Sequence, residues 1–210
     1  MRKLNILLVE DEALVREGLR ALLEKEPFTK QVHEATGKED FLSILHGYTI
    51  DMVLLDFRLG PVNGLDLITE LSRLPHPPPV IVLTGLEGEE LIINLLKAGV
   101  QGVLFKLDGY QEVVKAIEGV TQTGHYFSDK IHQLIQTNAH RWQQVPTVQL
   151  TFHERELLHG LAQGLTTKEI AGTLKMAEAT IETYRVRLLK KLHVNNTAAL
   201  LAYAYRNGVL

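Results

Sequence analysis

Short apolar runs alternate with amphipathic segments over the first 120 residues. Runs typical of buried strands cover Leu4 to Val9, Val53 to Asp56, Val80 to Thr84 and Val103 to Phe105, with a weaker one from Gln31 to Ala35. Between these runs, leucine and isoleucine recur three and four positions apart, which is the spacing of one helix face. The pattern predicts five strand–helix units and therefore an α/β fold built on a doubly wound five-stranded parallel sheet.

The strand–helix alternation stops after residue 124. Residues 125–148 are polar and end near Pro146, which breaks any helix running through it. We predict a first domain over 1–124, a linker over 125–148 with a helix around Asp129 to Trp142, and a second domain over 149–210.

The second domain shows the pattern of short helices only. Thr151 with Glu154 and Thr166 with Glu169 each fit the S/T-x-x-E capping box, and Gly164 suits the end of the first of these helices. A turn at Met176 to Ala179 separates a scaffold helix from a helix rich in basic residues. The sequence predicts a small all-α helix-turn-helix domain.

Composition narrows the class of protein. The 210 residues are 45% hydrophobic and 22% charged, which is typical of a folded soluble chain, and no apolar run is long enough for a membrane span or a signal peptide. The absence of cysteine excludes disulfides, iron–sulfur clusters and thiol catalysis. The nine histidines lack metal-ligand spacing, so we expect them to be solvated. We expect a cytoplasmic protein with no membrane partner.

The two domains differ in the sign of their charge. Residues 1–148 hold 14 Lys and Arg against 20 Asp and Glu, whereas residues 149–210 hold 8 against 5. A basic domain attached to an acidic one predicts a polyanionic partner for the basic domain, with double-stranded DNA as the best candidate.

Polar side chains stand at the ends of four predicted strands. Glu10 and Asp11 follow the first, Asp56 closes the third, Thr84 closes the fourth and Lys106 follows the fifth. Each alone is compatible with an ordinary turn or strand-end residue. Because parallel strands in such a sheet end at one edge, we expect all five side chains to lie together. Three neighbouring carboxylates repel unless a cation joins them, so Glu10, Asp11 and Asp56 are predicted to bind Mg²⁺.

This cluster has the parts needed for phosphoryl transfer. A carboxylate beside Mg²⁺ can attack phosphorus and form an aspartyl phosphate, and Asp56 is the candidate nucleophile. The Thr84 hydroxyl can donate to a phosphoryl oxygen, and the Lys106 ammonium can neutralise phosphoryl charge.

Two sets of motifs resemble a known family. V-E-D-E at 9–12, L-L-D-F-R-L-G-P-V-N-G at 54–64, V-L-T-G at 82–85 and K-A-G-V-Q-G-V-L-F-K at 97–106 resemble the receiver domain of two-component response regulators. L-T-F-H-E-R-E at 150–156, G-L-T-T-K-E-I-A at 164–171, A-T-I-E-T-Y at 179–184 and K-K-L-H-V-N-N at 190–196 resemble the LuxR-type DNA-binding domain. Together they resemble the NarL/FixJ family over nearly the whole chain.

The resemblance implies a role for each site residue. It implies a flavodoxin-like receiver with Glu10 and Asp11 as Mg²⁺ ligands, Asp56 as phospho-acceptor, Thr84 as switch hydroxyl and Lys106 as phosphate contact. It also implies a sensor histidine kinase as partner and a transcriptional regulator rather than an enzyme. The expected DNA contacts are Lys168, Thr180, Glu182, Thr183, Arg185, Val186, Arg187, Lys190 and Lys191. Of these, Glu182, Thr183 and Val186 are expected to face base edges. For Glu182, a structural role at the positive end of the helix stays open.

We also expect phosphorylation to promote a homodimer through the last helix, Thr197 to Asn207. The alternative is that this helix only completes the domain core.

The chain departs from the family pattern at three positions. Val103 stands where a switch aromatic is usual, three residues before the lysine, with Phe105 as a candidate substitute. Ala177 replaces the serine that usually caps the recognition helix, and Tyr184 replaces a common histidine.

Two other functions share some of these features. A Mg²⁺-dependent phosphohydrolase also forms an aspartyl phosphate, but it usually needs a D-x-D acid, and Arg58 occupies that position. A DNA-binding regulator that works without phosphorylation is the other alternative.

Overall fold

The computed structural model describes residues 2–60, 62–85, 88–139 and 150–206. The chain forms two compact units, one of residues 1–87 with 102–114 and the other of residues 88–101 with 115–210. The second unit therefore joins one segment from the middle of the chain to all the C-terminal helices.

The first unit is built on the parallel sheet that the sequence predicts. Its strands are β1 (Leu4–Val9), β2 (Thr29–Ala35), β3 (Met52–Asp56), β6 (Val80–Thr84) and β7 (Gly102–Phe105). They pair in the order β2-β1-β3-β6-β7, and every pairing is parallel. This order is that of a flavodoxin-like doubly wound sheet, so the predicted fold class is confirmed.

The mostly apolar strands β3, β6 and β7 lie in the interior of the first unit. Every residue of β3, β6 and β7 is buried. A two-stranded antiparallel ribbon, β4 (Arg58–Leu59) and β5 (Val62–Asn63), follows β3 and was not predicted. Strands of two residues are too short to leave an alternating pattern in the sequence.

Helices follow the strands in the predicted order. They are α1 (Ala13–Leu23), α2 (Lys38–Gly47), α3 (Gly64–Ser72), α4 (Glu89–Ala98) and α5 (Tyr110–Thr123), with a single 3₁₀ turn at Lys106–Asp108. In the first unit, the Tyr110 hydroxyl donates to Glu26 over 3.0 Å and ties the start of α5 to the segment after α1.

The second unit continues with five helices. They are α6 (Asp129–Thr137), α7 (Phe152–Ala162), α8 (Thr167–Leu174), α9 (Glu178–Lys191) and α10 (Thr197–Arg206). The linker helix predicted to reach Trp142 ends earlier, at Thr137, and Trp142 and Pro146 lie outside the described residues.

The capping signals of the second domain are confirmed. The Thr151 and Thr166 hydroxyls each accept a hydrogen bond from the backbone amide three residues later. The Glu154 and Glu169 carboxylates in turn accept from the backbone amides of Thr151 and Thr166. Gly164 follows α7 with φ of +70°, a left-handed conformation that glycine adopts without strain. Two helix starts and one helix end were therefore set by local sequence.

The last helix is buried rather than free. α10 packs against α4, α6 and α7, and Leu200, Leu201 and Tyr203 are at most 2% exposed. The expected interface helix is thus part of the core of the second unit in this structure, and its role in a homodimer stays a prediction. No helix in the described part of the chain is long and apolar enough to cross a membrane.

Candidate phospho-acceptor site and nucleic-acid interface

The ends of β1 and β3 bring the predicted acidic cluster together. Val9 is level with Leu55 in the β1–β3 pairing, so Glu10 leaves β1 beside Asp56, the last residue of β3. Ligand oxygens of Glu10, Asp11 and Asp56 all lie within 4.8 Å of one another. The acids therefore meet at one edge of the sheet, as the spacing of the strands predicts.

The three acids differ in exposure. Glu10 and Asp56 are buried, at 0% and 3% exposed, whereas Asp11 faces solvent. Burial raises the pKa of the Glu10 carboxyl above its usual value; the hydrogen bond from Lys106 acts against this, and the neighbouring Asp56 charge adds to it. A buried acid pair of this kind favours a cation among its oxygens.

Lys106 supplies part of the missing positive charge. Its Nζ donates to Glu10 Oε2 over 2.8 Å and to Asp56 Oδ2 over 2.9 Å. Burial alone would lower the pKa of Lys106, but the hydrogen bonds to Glu10 and Asp56 raise it above its ordinary value. The ammonium is thus a fixed positive charge at the predicted phospho-acceptor.

Backbone amides orient the two buried carboxylates. The Arg58 amide donates to Asp56 Oδ1, and the Glu12 amide donates to Glu10 Oε1, both over 3.2 Å. The Arg58 amide was missed by the sequence analysis, which considered only the side chain at that position. Its role depends on the turn after β3, which no residue pattern signals.

Thr84 closes β6 at the same edge of the sheet. It is 1% exposed and lies level with Phe105 in the β6–β7 pairing. Val103, at the usual position of the switch aromatic, is 1% exposed inside the sheet. Phe105 is the nearest aromatic in sequence and is also buried, at 7% exposed.

The predicted recognition helix, α9, presents several of the expected DNA contacts to solvent. Exposed members of the predicted set on α8 and α9 are Lys168, Thr180, Glu182, Thr183, Val186, Arg187 and Lys190. Val186 is 49% exposed. Ala177 is the N-cap residue of α9 and its side chain makes no hydrogen bond there. The loss of the capping side chain that the sequence indicates is therefore confirmed.

The remaining two predicted contacts are engaged inside the protein. Arg185 donates to the Thr123 carbonyl and, over 2.7 Å, to the Thr197 hydroxyl, and its side chain is 14% exposed. Lys191 Nζ donates to both carboxylate oxygens of Glu154, over 2.9 and 2.7 Å. These partners lie far apart in sequence, so sequence reasoning had no signal for them.

Glu182 is exposed but not free. Its Oε1 accepts from the Thr167 hydroxyl over 2.8 Å and lies 4.0 Å from Arg185 Nη1. The Thr167 contact joins α8 to α9 across the turn of the helix-turn-helix. The Glu182 carboxylate therefore takes part in the packing of α8 against α9, and its role toward DNA bases stays a prediction.

Two histidines are not solvated, contrary to the sequence analysis. His33 is 8% and His125 4% exposed. His125 lies in the segment directly after α5 and is buried in the second unit. The spacing of histidines along the sequence carries no information about this packing.

A parallel sheet in this order, with an acid cluster and a lysine at its carboxyl edge, defines the class of receiver domains. The family model of the response regulator receiver domain matches residues 6–118, and that of the bacterial regulatory proteins of the luxR family matches residues 148–204. The chain belongs to the NarL/FixJ family of two-component response regulators, whose members are DNA-binding transcriptional regulators.

Relatives of similar length support the assignment. The chain is 30% identical to the nitrate/nitrite response regulator NarP of Escherichia coli K12, over 97% of this chain and 96% of that protein. It is 32% identical to the transcriptional regulatory protein MctR of Rhizobium johnstonii, over 99% of this chain and 96% of that protein.

Solved structures show the same architecture. The response regulator ChrA of a heme-sensing two-component system matches with 27% identity and a TM-score of 0.51, over 100% of both chains. The response regulator RcsB in complex with DNA matches with a TM-score of 0.59 over 100% of both chains. At 22% identity, the RcsB match shows the fold alone.

Proposed function

We propose that this chain is a transcriptional regulator switched by transfer of a phosphoryl group from a sensor histidine kinase to Asp56. The observation that carries the proposal is the buried Asp56 carboxylate, held within 2.9 Å of the Lys106 ammonium and beside two further acids. This combination brings together a nucleophile, a fixed cation and oxygen ligands for a metal.

The acid cluster suits Mg²⁺. Three carboxylates within 4.8 Å offer the hard oxygen ligands that this ion prefers, and one exposed member, Asp11, leaves the site open to water and substrate. Glu10, Asp11 and Asp56 would hold the ion. When bound, it would neutralise charge on the phosphoryl oxygens and the acids.

The residues divide the chemistry among them. An Asp56 oxygen attacks phosphorus, the new O–P bond replaces the P–N bond of the donor histidine, and that histidine takes a proton from water. Asp56 Oδ1 already accepts from the Arg58 amide and Oδ2 from Lys106, so the carboxylate is held in a fixed orientation before the reaction. Lys106 then compensates the charge that the phosphoryl group brings.

Phosphorylation would act on the output through Thr84. A phosphoryl group adds about −1.5 to −2 charge and strong acceptors next to that hydroxyl. Because Val103 replaces the usual aromatic, no ring rotates at that position, and the movement of Thr84 itself and of the loop after β6 must carry the signal.

The output is binding to double-stranded DNA by the basic second domain. The exposed Thr183, Val186, Arg187 and Lys190 of α9 support this role, with Lys168 on α8. A homodimer formed on phosphorylation would need α10 released from its present contacts with α4 and α6. We place the domains at 1–124 and 149–210 and the protein in the cytoplasm, and we assign it no enzymatic turnover of its own.

The alternatives receive less support. A phosphohydrolase needs an acid two residues after the nucleophile, and Arg58 stands there, contributing its amide to Asp56. A regulator independent of phosphorylation would not need Lys106 bonded to both buried acids.

The test is phosphorylation of the full chain by a small phosphodonor with Mg²⁺, followed by intact mass and duplex DNA affinity on the same sample. We expect one phosphoryl mass on the wild type, none on Asp56→Asn, and a normal gain on the control Asp66→Asn, an exposed acid of α3. A full mass gain by Asp56→Asn, or labelling unaffected by a chelator, would refute the proposal.

A further inference from the structure

The end of α5 holds a buried guanidinium. Arg185 reaches from α9 to the Thr123 carbonyl, the last residue of α5, and to the Thr197 hydroxyl at the start of α10. A cation at a helix C-terminus is favourable because the last carbonyls carry partial negative charge. Its nearest ion-pair partner among the described residues, Glu182, is 4.0 Å away and 51% exposed, so it neutralises little of this charge.

His125 lies in the same junction and is 4% exposed. Its Nδ1 lies 3.4 Å from the Thr123 carbonyl oxygen, and the backbone of Leu161 on α7 is close enough to the ring to raise its pKa. The Phe127 ring covers it at a centroid distance of 5.1 Å. The imidazole thus connects the end of α5 to α7 while lying beside the Arg185 cation.

A second histidine lies on the other side of Phe127. The His132 ring on α6 is 5.9 Å from the Phe127 ring, and its buried Nδ1 has no hydrogen-bond partner. A cavity of about 300 Å³ is lined by both histidines and by Lys115, Glu118 and Thr166. Both histidines therefore line the same cavity beside the junction.

The charged groups around the histidines do not favour a second cation. α9 contributes Arg185, α5 contributes Lys115 and Glu118 to the cavity wall, and α6 contributes Asp129, which acts on His132. From α7, the backbone of Leu161 acts on His125. Among the described residues no carboxylate forms an ion pair with His125, so a proton added there would place an imidazolium beside Arg185 in a buried site.

We propose that His125, together with His132, forms an acid-sensitive lock on the junction between α5, α7 and α9. Mild acid opens this junction and releases Arg185 and α10 without phosphorylation. The lock rests on a buried imidazole that lies beside the buried Arg185 guanidinium, with both groups at the Thr123 carbonyl. The consequence for DNA binding rests on the proposed function.

The direction of the effect follows from the protonation states. Burial, and next the Arg185 charge, lower the pKa of His125 to about 3 in the closed junction, whereas a solvated histidine titrates near 6.5. Stability of the closed form is therefore complete above about pH 6.5 and is lost as the pH falls toward 3. Between pH 7.5 and 5.5 the ratio of open to closed forms should rise about tenfold.

The experiment measures opening directly by energy transfer between two dyes. Because the chain has no cysteine, Thr121→Cys after the middle of α5 and Arg155→Cys on α7 give two labelling sites on exposed residues of the second unit. We expect transfer to fall between pH 7.5 and 5.5 in the full unphosphorylated chain. Circular dichroism at both pH values checks that the helices persist.

His125→Gln is the deciding variant. Glutamine can still donate to a carbonyl but does not titrate, so the acid response of the energy transfer should be lost or reduced several-fold. The matched control His159→Gln, an exposed histidine of α7, should leave it intact. An acid response of full size in His125→Gln, or none in the wild type, would overturn the lock.

Binding to duplex DNA of random sequence separates the lock from the proposed function. With both correct, affinity rises in acid for the wild type and for Asp56→Asn, but not for His125→Gln. Opening in acid with no DNA binding at either pH would leave the lock standing and refute the proposed output. DNA binding with no change in energy transfer would refute the lock alone.

Discussion

Gly124 is a residue whose identity is fixed by its surroundings. Its φ is +79°, and a Cβ built there would lie 2.9 Å from both terminal nitrogens of Arg185. Its amide donates to the Val120 carbonyl and closes α5. Both the left-handed turn and the close approach of the guanidinium therefore depend on the missing side chain.

We expect Gly124→Ala to lower the free energy of unfolding by at least about 1–2 kcal/mol, the typical penalty for a left-handed alanine. The measurement is urea denaturation of the full chain. Gly18→Ala is the matched control, because Gly18 lies in α1 with no atom within 4 Å of a built Cβ. That variant should gain about 0.5–1 kcal/mol. Equal effects of the two substitutions would contradict the assignment.

At the scale of elements, α7 and α9 are joined by a charge pair in which the acid is buried and the lysine is partly exposed. Lys191 at the end of α9 donates to both oxygens of Glu154, and that carboxylate also accepts from the Thr151 amide. Glu154 is 8% exposed, so removal of Lys191 would leave a buried acid short of donors. Lys191 is therefore a structural lysine in this conformation, whereas Arg187 is exposed on the same helix.

We expect a salt titration of DNA binding to distinguish the role of Arg187 from that of Lys191. Arg187→Ala should flatten the slope of log affinity against log salt by about 0.9, because one phosphate contact and its released counterion are lost. Lys191→Ala should instead destabilise the protein by roughly 1–3 kcal/mol and leave the slope unchanged. A flattened slope with normal stability in Lys191→Ala would make it a phosphate contact.

At the scale of the whole molecule, the position of α10 decides how the chain can assemble. The helix is covered by α4, α6 and α7, and four of its alanines and leucines between Ala198 and Leu201 are at most 6% exposed. We predict that a dimer through this helix would require its release from those neighbours and therefore an opening of the second unit.

Tyr203→Ala tests whether α10 is core in the free protein. The side chain is 2% exposed, so its removal should destabilise the unphosphorylated chain by about 2–5 kcal/mol. Tyr205→Ala, at a half-buried position of the same helix, should cause a smaller loss. An unchanged melting temperature in Tyr203→Ala, together with weakened DNA binding, would show an exposed interface instead.

Not every local signal in the sequence was reliable. Thr36 and Glu39 have the spacing of an S/T-x-x-E capping box for α2, yet Gly37 is the N-cap and the Thr36 hydroxyl donates to Asp40 over 2.6 Å. The chain enters α2 from β2 through a bend that places Thr36 one residue too early. Capping depends on the direction of the incoming chain as well as on the residues.

The sequence by itself determined the sheet, the order of the helices and the acidic cluster. Apolar runs and helical stripes are local patterns, and the rule that parallel strands end at one edge converts their spacing into a site at Glu10, Asp56 and Lys106. The capping boxes at Thr151 and Thr166 are equally local, because a cap and its partner lie three residues apart.

Which basic residues are exposed and can contact DNA, and which form hydrogen bonds within the protein, depends on tertiary packing. Arg185 lies 62 residues from Thr123 and Lys191 lies 37 from Glu154, so no periodicity or motif connects them. His125 is neutral and buried for the same reason, since its environment is assembled from α5, α7 and α9. Charge is a property of the residue, but desolvation and pairing are properties of the packed chain.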